Sequence, residues 1–280
     1  MSNLGTVCYH LILVVSPRTF FFPAALLLGA AFALSAQQAG QDSVESPAPQ
    51  LASPASSSGA VTGPLTDAEK RYAKAEQEIH RQEHQRILGL APNFNTSYIQ
   101  DAEPLTPKQK FSLAAHSVLD PFTFVAAAFD AGLSQVENDF PGYGQGAHGY
   151  GKRFGASYLD TFNGTMIGNA LFPTLLHQDP RYFRKGTGSF ASRFFHAAIS
   201  TVWCRNDNRK WGPNYSNVLG NLAAGGVANL YYPQSDRGGW LTLQRAAVVS
   251  GEGAIGSVFV EFWPDIVKRL SRKKDATAAP

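Results

Sequence analysis

The sequence predicts an all-α protein: a compact bundle of about six helices rich in small residues, preceded by a signal segment, a disordered tether and one charged helix. Three observations lead there. From Pro107 onward, apolar residues come in blocks of helical length bounded by turn residues. Asp120-Pro121 and Asp179-Pro180 read as helix starts, with Asp as N-cap and Pro in the first turn, where its missing donor costs nothing. Glycines recur at helical spacing: Gly151 with Gly155, Gly164 with Gly168, and Gly220, Gly225 and Gly226 in one apolar segment. An interior helical glycine costs ~1 kcal/mol relative to alanine. Close helix–helix approach across small-residue faces is the usual compensation, and it is commonest in membranes.

Residues 1–36 read as a targeting segment. Arg18 is the only charge before Gln37, and an apolar run from Phe20 to Leu34 follows it, ending at the small residues Ser35 and Ala36. A spanning helix needs about 20 apolar residues, so a cleaved signal peptide is the expectation and a retained anchor the alternative. Residues 37–64, rich in Ser, Ala, Pro and Gly, read as a disordered linker. Thr66 and Glu69 have capping-box spacing and open a charged helix within 65–90, so polar that it should project from the body. The all-α domain is expected over 91–267, with helices near 107–119, 121–137, 152–177, 189–204, 214–231 and 240–262. Pro173 should bend or break the third of these. Pro141–Gly151 reads as a Gly/Tyr loop, and 268–280 as a basic mobile tail.

Composition narrows the partners. The formal net charge of +3 is too small to suggest nucleic acid. Charged residues make up 16% of the chain, against a usual ~25%, which favours buried helices, self-assembly or a membrane surface. Cys8 lies in the leader, so Cys204 is the one thiol of the mature region and is expected to be buried and inert.

His80-Arg81-Gln82-Glu83-His84 matches H-x-x-E-H, in which two histidines on one helix face hold a metal beside a glutamate base. His80, Glu83 and His84 are therefore the metal candidates. The surrounding helix is polar throughout and offers no apolar wall, so a solvated helix is expected and no metal. Gly146–Lys152 nearly matches a phosphate-binding loop, but Arg153 stands where Ser or Thr should hold magnesium. Gly251-Glu252-Gly253-Ala254-Ile255-Gly256 matches G-x-G-x-x-G, with too little chain after it for a dinucleotide fold. No cofactor is expected. The densest polar cluster between apolar blocks is His177, Asp179, Arg181 and Arg184, where Asp179 could orient His177 and the arginines could grip phosphate or carboxylate. These four are the catalytic candidates. A lipid-phosphatase pattern fails, because Ile199 stands where that family places a histidine after Ser192-Arg193.

The stretch Leu175-Leu176-His177-Gln178-Asp179-Pro180-Arg181-Tyr182-Phe183, followed by Tyr231-Tyr232-Pro233 and Phe262-Trp263-Pro264-Asp265, resembles uncharacterised exported bacterial proteins over roughly residues 87–267. The resemblance implies export to the periplasm or cell envelope and no activity. The expected function is non-enzymatic: an envelope protein that is membrane-associated or self-assembles through close-packed helices, with a membrane surface, envelope proteins or another copy of itself as partner. The alternative is a periplasmic hydrolase of phosphorylated or lipid substrates built on the His177 cluster.

Overall fold

The computed structural model describes residues 66–87 and 91–278; the expected leader and linker lie outside them. Seven helices account for most of the described residues: α1 (Asp67–Glu83), α2 (Pro107–Leu119), α3 (Pro121–Val136), α4, α5 (Phe190–Ala198), α6 (Tyr215–Ala228) and α7 (Gly239–Ala278). Helix α4 begins as Gly146–Thr165, passes through a π-helical turn at Met166–Leu171 and ends as Phe172–Leu175. Short ladders join the rest. β1 (Arg86–Ile87) pairs antiparallel with β2 (Ala91–Pro92), β3 (Thr96–Ser97) pairs parallel with β4 (Tyr182–Phe183), and β5 (Trp203–Arg205) forms a hairpin with β6 (Trp211–Pro213). The all-α fold is as the apolar blocks and caps predict.

Local signals hold where they are self-contained. Thr66 and Thr106 each close a capping box, with Glu69 and Gln109 respectively. Asp120 accepts from the Phe122 amide and starts α3 after a 51° bend from α2. In the interior α3 packs on α4, α4 on α6, and α6 on α7, which also carries α5.

Five expectations are corrected. Helix α1 does not project. Ala75 and Ile79, four apart, form a stripe that packs with Phe94, Leu105 and Leu113, while Glu78 and Gln82 on the same side are buried. Asp179-Pro180 does not start a helix. The Asp179 carboxylate is taken by Arg181, and the chain runs on into β4, where Tyr182 and Phe183 pair with Thr96 and Ser97. Pro173 does not break α4; the π turn just before it absorbs the missing donor. The Gly/Tyr segment is a loop only as far as Gln145, where α4 takes over, with left-handed backbone at Gly144 and Gly146. The last helix does not stop near 262 but runs to Ala278 through the expected tail, with Pro264 inside it.

The glycine expectation is half met. A Cβ on Gly220 would lie 2.7 Å from the Gly168 Cα, and one on Gly225 3.2 Å from the Thr242 carbonyl oxygen. Gly151, Gly155, Gly164 and Gly226 have nothing within 4 Å of such a Cβ. The exposed ones lie on outer helix faces and bring no backbones together.

Candidate functional site

The four catalytic candidates do not share a pocket. His177 sits in left-handed backbone (φ 52°), with its side chain 86% exposed and its Nδ1 4.0 Å from Asp207. Asp179 and Arg181 are buried against each other: the Arg181 Nε and Nη2 donate to the two carboxylate oxygens at 2.9 and 2.7 Å. Arg181 also donates to the Glu103 carbonyl at 2.6 Å and lies 3.7 Å from Glu78. Arg184 turns the other way, to the Glu261 carbonyl at 2.9 Å and the face of Tyr98. The four side chains thus face different partners, His177 at Asp207, Asp179 and Arg181 at each other and Arg184 at Glu261, and converge on no common point. The metal candidates diverge too. His80 lies 3.5 Å from Glu83, His116 takes the other Glu83 oxygen, and His84 caps the helix end. Among the described residues no group of three or more His, Cys, Asp or Glu is placed to hold a metal ion.

What the fold does assemble is a hub around Glu261 of α7, 0% exposed. Its carboxylate accepts from the Tyr182 hydroxyl (2.7 Å), the Lys185 and Gly186 amides (2.9 and 2.8 Å) and the Arg193 Nε (2.7 Å). Arg193 adds a bond to the Glu261 carbonyl, a 2.6 Å pair with Asp265, and a stack over Phe262. Burial pushes the Glu261 carboxyl up, but the donors from Arg193, Tyr182 and the two amides outweigh it and hold it below the ordinary value of 4.5. The Arg193 hydrogen bond holds Asp265 below 3.8 as well. A depressed folded value means stability that is present above 4.5 and lost as pH falls through the folded value. Unfolding followed from pH 6 down to pH 2 should therefore show a steeper acid loss for the wild type than for Glu261→Gln; parallel curves would remove the hub from acid stability.

Beside this hub lies a cavity of about 310 Å³ between the β5–β6 hairpin, the π turn of α4 and α7. Asn169, His196, Ser200, Trp211, Asn217 and Ser257 are among its lining, and the Asp179–Arg181 pair closes one wall. A second recess of about 410 Å³ shares His196, Trp203 and Trp211 with it. The register pairs Trp203 with Pro213 and Arg205 with Trp211, so both tryptophans stand on one face of the hairpin. His196 Nε2 lies 2.8 Å from the Phe183 carbonyl, which can only accept, so Nε2 donates and in the neutral ring Nδ1 is left as an acceptor. Ser200 donates to the Ala197 carbonyl and lies 3.0 Å from the Ser257 hydroxyl, with no base on either. Cys204 is buried and unpaired with another cysteine, its thiol pushed up to about 12 by burial, so it is no nucleophile. The arrangement suits binding.

No protein-family model, curated protein or solved structure matches this chain. The site therefore rests on its own geometry. Sequence reading missed Arg193, His196, Asn169, Asn217 and the tryptophan hairpin. One signal was available: Arg193 and Ala197, four apart, share one face of a helix whose opposite face carries Phe195, an arrangement that leaves a charged side chain facing inward.

Proposed function

We propose a non-enzymatic, exported envelope protein that docks on a lipid membrane through its outer apolar faces. One observation carries this: the amphipathicity is inside-out. Helix α5 buries Arg193 and turns Phe190 (69% exposed) and Phe195 (64%) outward. The largest fully buried side chains include Lys110 and Glu261, whereas Val136 and Leu230 are 86% and 78% exposed. Water would penalise that distribution; an acyl environment favours it. The most apolar 18-residue stretch within Gly239–Arg269 of α7 is only 11% covered by the rest of the protein.

Among the described residues only α7, over Gly239–Arg269, is by itself long and apolar enough to cross a membrane; the other apolar helices are too short and suit a leaflet surface. At 1.5 Å per residue, the 16 residues of α3 and 14 of α6 reach only about 24 and 21 Å, short of the ~30 Å hydrocarbon core. An interfacial helix needs only a broad apolar face. Basic residues from Lys268 onward add attraction to anionic headgroups. The leader's composition supports export.

The test is flotation with vesicles of neutral and anionic lipid at low and high salt. The wild type should float with both, and salt should weaken only the anionic preference. Replacing Phe190, Phe195 and Trp240 with serine should lower partitioning at least about a hundredfold, since each buried aromatic is worth ~1.5–3 kcal/mol. A protein that stays with the aqueous fraction sinks the proposal. If it is there a discrete oligomer, a second copy covers these faces instead.

A further inference from the structure

We propose that the cavity beside the β5–β6 hairpin binds one uncharged, hydroxyl-rich ring: a single neutral sugar residue. Its volume of about 310 Å³ falls at the lower end of small-molecule sites. Charge decides the first half of the assignment. The ionic groups on the inner wall, Asp179 and Arg181, neutralise each other through three side-chain and backbone bonds to the Asp179 carboxylate. A charged ligand would enter with no counter-ion there and leave its own hydration behind. Lys185 stands only at the outer recess, with its Nζ on the Ser192 hydroxyl at 2.7 Å.

The hydrogen-bonding inventory decides the second half. Among the described residues the Asn169 amide has no protein partner. The Asn95 Oδ1, from another lining residue, is buried without one. Asn217 spends its amide N–H on the Thr201 carbonyl at 2.9 Å and keeps its oxygen, and Nδ1 of His196 is an acceptor. Uncompensated polar atoms in a cavity cost free energy unless a ligand or water meets them. The π turn brings Asn169 to the wall, a use to which single π turns are frequently put. These groups come from the β3 approach, α4, α5 and α6, and so from several directions. A flat base presents its polar atoms in one plane; a saccharide ring presents hydroxyls all around and apolar C–H faces that lie on indoles. Trp211, shared by both recesses, supplies such a face.

The assignment does not depend on the membrane proposal. It is tested by calorimetric and tryptophan-fluorescence titration of the full chain with glucose, galactose, N-acetylglucosamine and, for comparison, glucuronate. At least one neutral sugar should bind saturably at millimolar concentration and more tightly than glucuronate. Trp211→Ala and the isosteric Asn169→Asp should each weaken it about tenfold or more, with the circular dichroism of the wild type. Trp211→Phe, which keeps a ring face, should retain most of the affinity. The proposal is overturned if no neutral sugar binds, if glucuronate binds best, or if folded Trp211→Ala and Asn169→Asp bind as the wild type does.

Discussion

Replacing Glu261 with alanine should destabilise the protein by about 3–5 kcal/mol, the usual cost of removing one partner from a buried ion pair. The loss is large because the change orphans several groups at once. Arg193 keeps the Glu261 carbonyl and the part-exposed Asp265 but loses its buried carboxylate, while the Tyr182 hydroxyl and the Lys185 and Gly186 amides lose the acceptor they share. Each buried donor left unpaired costs about 1–3 kcal/mol. Glu261→Gln keeps one carbonyl acceptor and the side-chain volume, so it should lie between the alanine variant and the wild type. Denaturant titration in one fixed detergent or lipid gives the comparison. A loss under about 1 kcal/mol for the alanine variant would mean that α5 and α7 are held by their apolar contacts and not by this hub.

The second expected result is a pair of opposite signs. Gly220→Ala should cost about 1–3 kcal/mol by overpacking, whereas Gly226→Ala should be neutral or gain up to about 1 kcal/mol from helix propensity. Both residues lie in α6, six positions apart in the chain. At Gly220 the added Cβ meets backbone: the Gly168 Cα at 2.7 Å, its nitrogen at 3.3 Å and the Ile167 carbonyl carbon at 3.7 Å. Backbone in a π turn packed against α6 cannot step aside as a side chain does. At Gly226 nothing lies within 4 Å. Thermal melts of the two variants side by side settle it, and equal shifts would dissolve the close approach between α4 and α6.

Much of the local architecture was legible. The spans of α2 and α3 follow from Thr106, Pro107, Asp120 and Pro121, because a cap acts within one helical turn. The same logic failed at Asp179-Pro180. There the side chain that should have capped a helix is claimed by Arg181, and the backbone joins a strand 86 residues away in sequence, Thr96 opposite Tyr182. It failed again for α1, where a stripe of only Ala75 and Ile79 looks negligible in a charged sequence yet meets a preformed apolar wall. Of the catalytic candidates, Asp179 and Arg181 come together, two apart in the approach to β4. Arg184, at odd spacing from them, falls on the other side, and His177 parts because its left-handed backbone turns the chain just before Asp179.

By itself the sequence determined the all-α class, the helix starts set by self-contained caps, and the low charge and abundant small residues that a crowded helical bundle needs. Those properties arise from interactions reaching no more than about four residues along the chain. Only the tertiary structure decided which glycines touch, where Arg193 finds Glu261 across 68 residues, and that the phenylalanines of α5 face outward while its arginine faces in. Those outcomes depend on which elements pack together. A helical wheel supplies a face but not its neighbour, and the neighbour determines whether a charge is buried and paired or left in solvent.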